Sequence, residues 1–183
     1  MINEIDLTEV LARSVGPRHR DLVTRSTGAK VRGGIEAALT SRPADNPVVL
    51  NFSAVRVLDC SCADEVVAKL LLDHAVGAEG RAVCFVIRGL TETHAEEIDY
   101  VLRRRRLALV AEELGERPRL LGEVTPSAAA AWDVLAARGG AGEEEIALAL
   151  ALPPLEARLA LEALVGAGVV RLSDGRYLPL TAA

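Results

Sequence analysis

The sequence predicts an α/β fold: a mostly parallel or mixed sheet with helices, followed by a small C-terminal winged helix. Three observations carry this. An apolar, β-branched run, Val48–Phe52, passes through a short polar junction into a helical apolar pattern, the core of an α/β unit. Strand-like and helix-like stretches alternate up to about residue 122. Beyond that point three short helical patterns end in two apolar runs joined across Ser173-Asp174-Gly175, a strong hairpin signal. The boundaries read from these patterns are 1–122 for the α/β domain, with an N-terminal helical extension, and 123–183 for the winged helix.

Leu7–Ser14 fits a short amphipathic helix with Leu7, Val10 and Leu11 on one side, ended by Gly16-Pro17. Asp21–Thr24 reads as a short strand. Ser26 or Thr27 then caps a helix whose apolar positions, Val31, Ile35, Ala38 and Leu39, fall on one face. Thr40–Asn46 contains Pro43 and breaks the pattern. Val48–Leu58 forms a strand region and Cys62–Val76 a helix, with Glu65, Lys69 and Asp73 in i, i+4 pairs on its wet face and Gly77 and Gly80 at its end.

Ala82–Ile87 is almost uninterrupted apolar sequence, as expected of a strand covered on both faces. Thr91 or Thr93 opens the next helix, and Thr93-His94-Ala95-Glu96 fits a capping box. Its buried stripe is Ala95, Ile98, Val101 and Leu102, with Arg103–Arg106 at the end that the helix dipole favours for cations. Leu107–Ala111 and Pro118–Gly122 read as further strands. Ser127–Ala137, Glu143–Leu150 and a helix opened by Pro154 follow.

The totals narrow the function. With 183 residues, half hydrophobic and 26% charged, the chain is long enough for one medium domain and a small appendage. A net charge of −5 gives no general reason to expect nucleic acid or an anionic membrane as partner. The start lacks a basic n-region, and no run of apolar residues is long enough to span a bilayer. Three cysteines, Cys60, Cys62 and Cys84, fit reduced thiols in a cytoplasmic protein. No Walker loop, GxGxxG or HExxH is present, so no cofactor is expected.

The segments Val49-Leu50-Asn51-Phe52-Ser53-Ala54-Val55 and Leu58-Asp59-Cys60-Ser61-Cys62-Ala63-Asp64-Glu65 carry a resemblance. They are similar to the STAS family of bacterial anti-sigma-factor antagonists, and more closely to STAS-like domains of bacteria that continue Ala-Asp-Glu at this point. The resemblance covers roughly residues 20–122. It implies a regulatory protein that binds another protein, an ATPase- or kinase-like or anti-sigma-like regulator, and a serine at the helix start whose phosphorylation abolishes binding. Ser61 is the matching position. Asn51 departs from the usual Asp, and Cys62-Ala63-Asp64-Glu65 departs from the small segment that partner kinases dock against.

Ser61 also has a purely structural reading. Ser61-Cys62-Ala63-Asp64 is a capping-box sequence with Ser61 as N-cap. The neighbouring acids Asp59, Asp64 and Glu65 would repel a phosphate carrying nearly two charges. Cys60 and Cys62 point differently and lack two further ligands, so a metal site is not expected and buried thiols are the simpler reading. A helix N-terminus would make a redox-sensing thiol, but the carboxylates oppose it.

The winged helix offers DNA readout as an alternative. From Glu123 onward, however, four arginines (138, 158, 171 and 176) stand against eight acids. Phosphate contacts dominate DNA affinity, so charge disfavours a reader built on Arg158, Arg171 and Arg176. The expectation is therefore a cytoplasmic bacterial regulator acting by protein–protein interaction, not an enzyme. Ser61 is its switch position, surrounded by Asp59, Cys60, Cys62, Asp64 and Glu65, and the winged helix serves dimerisation or partner contact.

Overall fold

The computed structural model describes residues 3–40, 47–74, 83–113 and 115–181. Five strands form the main sheet: β1 (Asn3–Asp6), β3 (Val48–Asn51), β5 (Phe85–Arg88), β6 (Ala108–Glu112) and β7 (Arg119–Gly122), side by side in that order. The first four are parallel, and β7 returns antiparallel to β6. Two residues of β2 (Asp21–Leu22) pair in parallel with β4 (Val57–Leu58) in a separate small ladder.

Alternation along the strands separates two cores. Leu50, Phe85, Ile87, Leu109 and Ala111 point to one side, into a cluster with α1 (Leu7–Ser14), α2 (Arg25–Leu39), the helix that begins at Cys60, and α5 (Glu92–Arg105). Val86, Ala108 and Val110 point to the other side, into a cluster with Trp132, Leu135, Leu161 and Leu164. These belong to α6 (Pro126–Arg138) and α8 (Pro154–Gly166); α7 (Glu143–Leu150) adds Ile146, and the three helices lead into the hairpin β8 (Val170–Ser173) and β9 (Arg176–Pro179). Phe85, Val86 and Ile87 are all essentially inaccessible, as expected of a strand covered on both faces.

Several boundaries differ from the sequence reading. β1 was not expected: only Ile5 of its four residues is buried, and its pairing with β3 supplies what composition does not. The expected strand Asp21–Thr24 shrinks to two residues outside the main sheet, because Thr24 turns to cap α2 by accepting from the Thr27 N–H. α5 is capped by Thr91, not Thr93. Its box is closed by buried His94, whose Nδ1 accepts from the Thr91 N–H. The expected break at Pro43, the helix end at Gly77 and Gly80, and the strand start at Ala82 lie outside the described residues.

The helix after β4 is the centre of the first core. It comprises α3 (Cys60–Ala63), a π-helical turn over Asp64–Ala68, and α4 (Lys69–His74). All residues from Cys62 to Ala68 are buried. Such burial on every side belongs to a helix enclosed by neighbours; here they are α2 on one flank and α5 on the other. The approach of α2 is close enough to require a glycine. A Cβ on Gly28 would lie 2.9 Å from the Glu65 Cβ and 3.2 Å from the Cys62 Cα.

Candidate functional site

The site is built on the start of this buried helix. Asp59 has extended backbone and is the N-cap: its Oδ1 accepts from the Cys62 N–H at 2.8 Å. The same oxygen accepts from the Ser61 hydroxyl at 2.9 Å. This corrects the capping-box reading. Ser61 is not the cap but lies inside the first turn, partly exposed, with its hydroxyl directed back to Asp59. A side chain spared from capping is available for other chemistry.

Cys60 is exposed and Cys62 buried. The Cys62 Sγ donates to the Thr24 carbonyl at 2.9 Å. Burial, helped by the Asp59 charge, pushes its thiol up to about 11, so it stays protonated at neutral pH and is a poor nucleophile. Among the described residues no cluster of His, Cys, Asp and Glu could hold a metal ion.

Asp64 and Glu65 do not lie on a wet face. Glu65 is 3% exposed and Asp64 9%. Successive residues on a helix surrounded by α2 and α5 both meet protein, and each finds cations there. Asp64 is gripped from α5 by Arg105, whose Nε donates to Oδ1 at 3.0 Å and Nη2 to Oδ2 at 3.1 Å. Arg25 of α2 reaches both acids with one nitrogen, Nη1, at 3.3 Å from Asp64 and 3.0 Å from Glu65. Glu65 also pairs with Lys69 at 2.5 Å and with the Arg32 Nε at 3.7 Å.

Burial alone would raise the Glu65 pKa. Its hydrogen bonds from Lys69 and Arg25 outweigh that and hold the carboxyl below its ordinary value. The i, i+4 pair Glu65–Lys69 expected from sequence is present, whereas Asp73 pairs with Arg32 of α2 at 3.0 Å. The sequence reading missed Arg25, Arg32 and Arg105 as members of this cluster. They are 32 to 41 residues away from the acids in sequence, on helices whose orientation only the fold sets.

A cleft of about 430 Å³ opens beside Ser61, with Cys60, Asp64, Arg25, Tyr100, Arg104 and Arg105 among its lining residues. Arg104 lies 5.7 Å above the Tyr100 ring and donates to its hydroxyl at 3.3 Å. Of the arginine run expected at the end of α5, Arg103 pairs with Asp99 at 2.6 Å and Arg105 with Asp64. A larger cavity of about 680 Å³ lies between Leu71, the start of β6 and the end of α8; Ser61 does not line it.

At β3, Asn51 takes the place of the expected aspartate in a structural role. Its Nδ2 donates to Glu4 at 2.6 Å, and its Oδ1 accepts from the Ser53 N–H at 2.9 Å. Arg88 of β5 bridges Glu4 and Glu112 beside it.

In the C-terminal helices, Arg158 donates to Glu162 at 2.8 Å, and Arg176 bonds the Gly140 carbonyl and pairs with Glu145 at 3.3 Å. Arg171 is exposed on β8. The outer surface of these helices carries exposed leucines among charged side chains: Leu148 is 85% exposed, Leu155 68% and Leu159 55%, and Glu144, Glu156 and Glu162 are exposed beside them. Among the described residues no helix is long and apolar enough to cross a membrane. Comparison with protein-family models, with curated proteins and with solved structures gives no match to this chain.

Proposed function

We propose that the chain is a bacterial regulatory protein of the STAS-like kind, working in the cytoplasm by binding another protein and not by catalysis. Ser61 is the position at which binding is switched. One observation carries this reading: Ser61 is partly exposed at the edge of a cleft, while every acid around it is already engaged. Asp59 is occupied by the Cys62 N–H, Asp64 by two arginines, and Glu65 by three cations. The repulsion that Asp64 and Glu65 would exert on a phosphate at Ser61 is thereby offset by their paired cations, whereas Asp59 keeps its charge and is the carboxylate from which such a phosphate turns away.

The departures from the antagonist pattern find a physical reason here. Cys62, Ala63, Asp64 and Glu65 face the interior, so a partner docks instead on Cys60, Ser61 and the exposed end of α5. This supports a partner contact different from that of the sigma-regulatory kinases.

The C-terminal helices serve dimerisation or partner contact. Two of the three arginines available to DNA are held by Glu162 and Glu145, and the helix that would enter a groove presents Leu155 and Leu159. Aliphatic side chains between acids suit a protein surface better than a phosphate backbone.

The test is retention of a binding partner on immobilised wild type, Ser61→Ala and Ser61→Asp chains. The reading expects a protein held by wild type and Ser61→Ala and lost by Ser61→Asp. Equal retention by all three contradicts it.

A further inference from the structure

The cleft beside Ser61 has a charge that the chain as a whole does not. Its lining holds three guanidiniums, Arg25, Arg104 and Arg105, and one carboxylate, Asp64. Among the lining side chains that is an excess of two positive charges in a protein of net charge −5, although Glu65 also draws on Arg25 and Asp59 stands against Ser61. Its volume, about 430 Å³, lies in the range of small-ligand sites. From it we infer that the cleft is a binding site for a phosphomonoester dianion.

Each arginine contributes differently. Among the described residues no carboxylate pairs with Arg104. Its guanidinium is steadied over Tyr100 and keeps donors for a ligand. Arg25 gives only Nη1 to the two acids, and its side chain is 58% exposed. Arg105 is 42% exposed. A guanidinium carries five N–H donors in a planar fork that matches phosphate oxygens, so both have donors beyond those spent on Asp64. Tyr100 adds a hydroxyl, whereas the Ser61 proton is already given to Asp59. Asp64 opposes the ligand: it occupies the same arginines, acting as an internal competitor for the anion.

The dianion can reach this cleft in two ways, free in solution or carried on Ser61. In the second case the modified oxygen no longer has a proton to donate to Asp59. The group then turns from that carboxylate to the guanidiniums. The site itself depends on neither partner binding nor modification of Ser61, so its failure and that of the regulatory reading are separable.

The experiment has two arms, both on the full chain. In the first, inorganic phosphate and O-phosphoserine are titrated at constant ionic strength, with chloride as the reference anion. Binding is followed by calorimetry and by the arginine Nε–H resonances. Saturable binding is expected for wild type, weakened about tenfold or more by Arg104→Ala, the loss of one charge-assisted contact. Asp64→Asn, which removes the competitor, is expected to tighten it several-fold. In the second arm the chain carries phosphoserine at 61, and the Arg25, Arg104 and Arg105 resonances are compared with those of the unmodified chain.

Saturable binding in the first arm alone assigns the site to a free ligand. Shifts in the second arm alone assign it to Ser61. Either supports a phosphoryl site. The inference is overturned if phosphate acts only as chloride does, if Arg104→Ala and Asp64→Asn leave the affinity unchanged, and if phosphoserine at 61 moves none of the three arginines.

Discussion

Arg105 meets Asp64 fork to fork, Nε on one carboxylate oxygen at 3.0 Å and Nη2 on the other at 3.1 Å. The pair joins the C-terminal turn of α5 to the π-helical turn of the buried helix, and Arg25 ties the same carboxylate to α2. Three helices are thus held by a charge cluster directly behind the surface that carries Ser61. Breaking a buried ion pair by removing one partner costs far more than removing a surface one.

Glu65 is the most deeply buried acid of the cluster. Glu65→Ala leaves Lys69 without its carboxylate and takes one of several from Arg25 and Arg32, and is expected to destabilise the fold by about 2 kcal/mol through lost hydrogen bonds to a charged group. Glu9→Ala removes only the exposed Glu9–Arg13 pair and is expected to cost less than about 0.5 kcal/mol. Denaturant unfolding of both variants checks the contrast; equal effects would show that the cluster is not structural.

The cap assignment has its own signature. Asp59→Ala removes the side chain that accepts from the Cys62 N–H and should cost about 1 kcal/mol. Ser61→Ala removes a hydroxyl that caps nothing and should cost less than about 0.5 kcal/mol. A larger loss for Ser61→Ala than for Asp59→Ala in the same unfolding experiment would restore Ser61 as the cap.

Two glycines of α2 separate packing from propensity. A Cβ on Gly28 meets Glu65 and the Cys62 backbone, whereas Gly33 faces open space. Gly28→Ala is expected to destabilise by about 1–3 kcal/mol through overpacking. Gly33→Ala is expected to stabilise by up to about 1 kcal/mol through helix propensity. Thermal melts of the two variants should therefore move in opposite directions.

His94 makes stability depend on pH. Burial holds its imidazole below the ordinary value of 6.5, against a hydrogen bond to the Arg56 backbone that works the other way. The neutral ring also supplies the Nδ1 acceptor of the α5 capping box. Below pH 6.5 the unfolded chain takes up a proton that the folded chain resists, so this contribution is complete above that value and is lost as pH falls. The Glu65 contribution, with its carboxyl held below 4.5, is lost only at lower pH. Wild type should lose melting temperature between about pH 7.5 and about pH 5.5, and His94→Gln should flatten that slope.

Much of this architecture is written locally. The alternation of Val48–Asn51 and Phe85–Arg88 with amphipathic helices, and the Asp174-Gly175 turn, depend on neighbours in sequence, and the structure places those elements where the pattern does. β1 is different: Asn3-Glu4-Ile5-Asp6 has no strand pattern, and its place at the sheet edge comes from its register with Val48–Asn51. The site was half legible. Ser61 and its acidic neighbours could be found by motif, but the arginines that neutralise them arrive from α2 and α5 by tertiary packing. For the same reason Glu65, which the pattern puts on a wet face, is buried in the fold, as is Asp64. The cap passes to Asp59 because its extended backbone precedes the first helical residue, a conformation that composition does not reveal.

The measurement that tests the regulatory reading most directly is the affinity of the retained partner for two forms of the full chain, one with Ser61 unmodified and one with phosphoserine at 61. A switch at this position predicts binding weakened about tenfold or more by the phosphate, the effect of one disrupted charge-sensitive contact. Equal affinity of the two forms, with both folded to the same melting temperature, would contradict it.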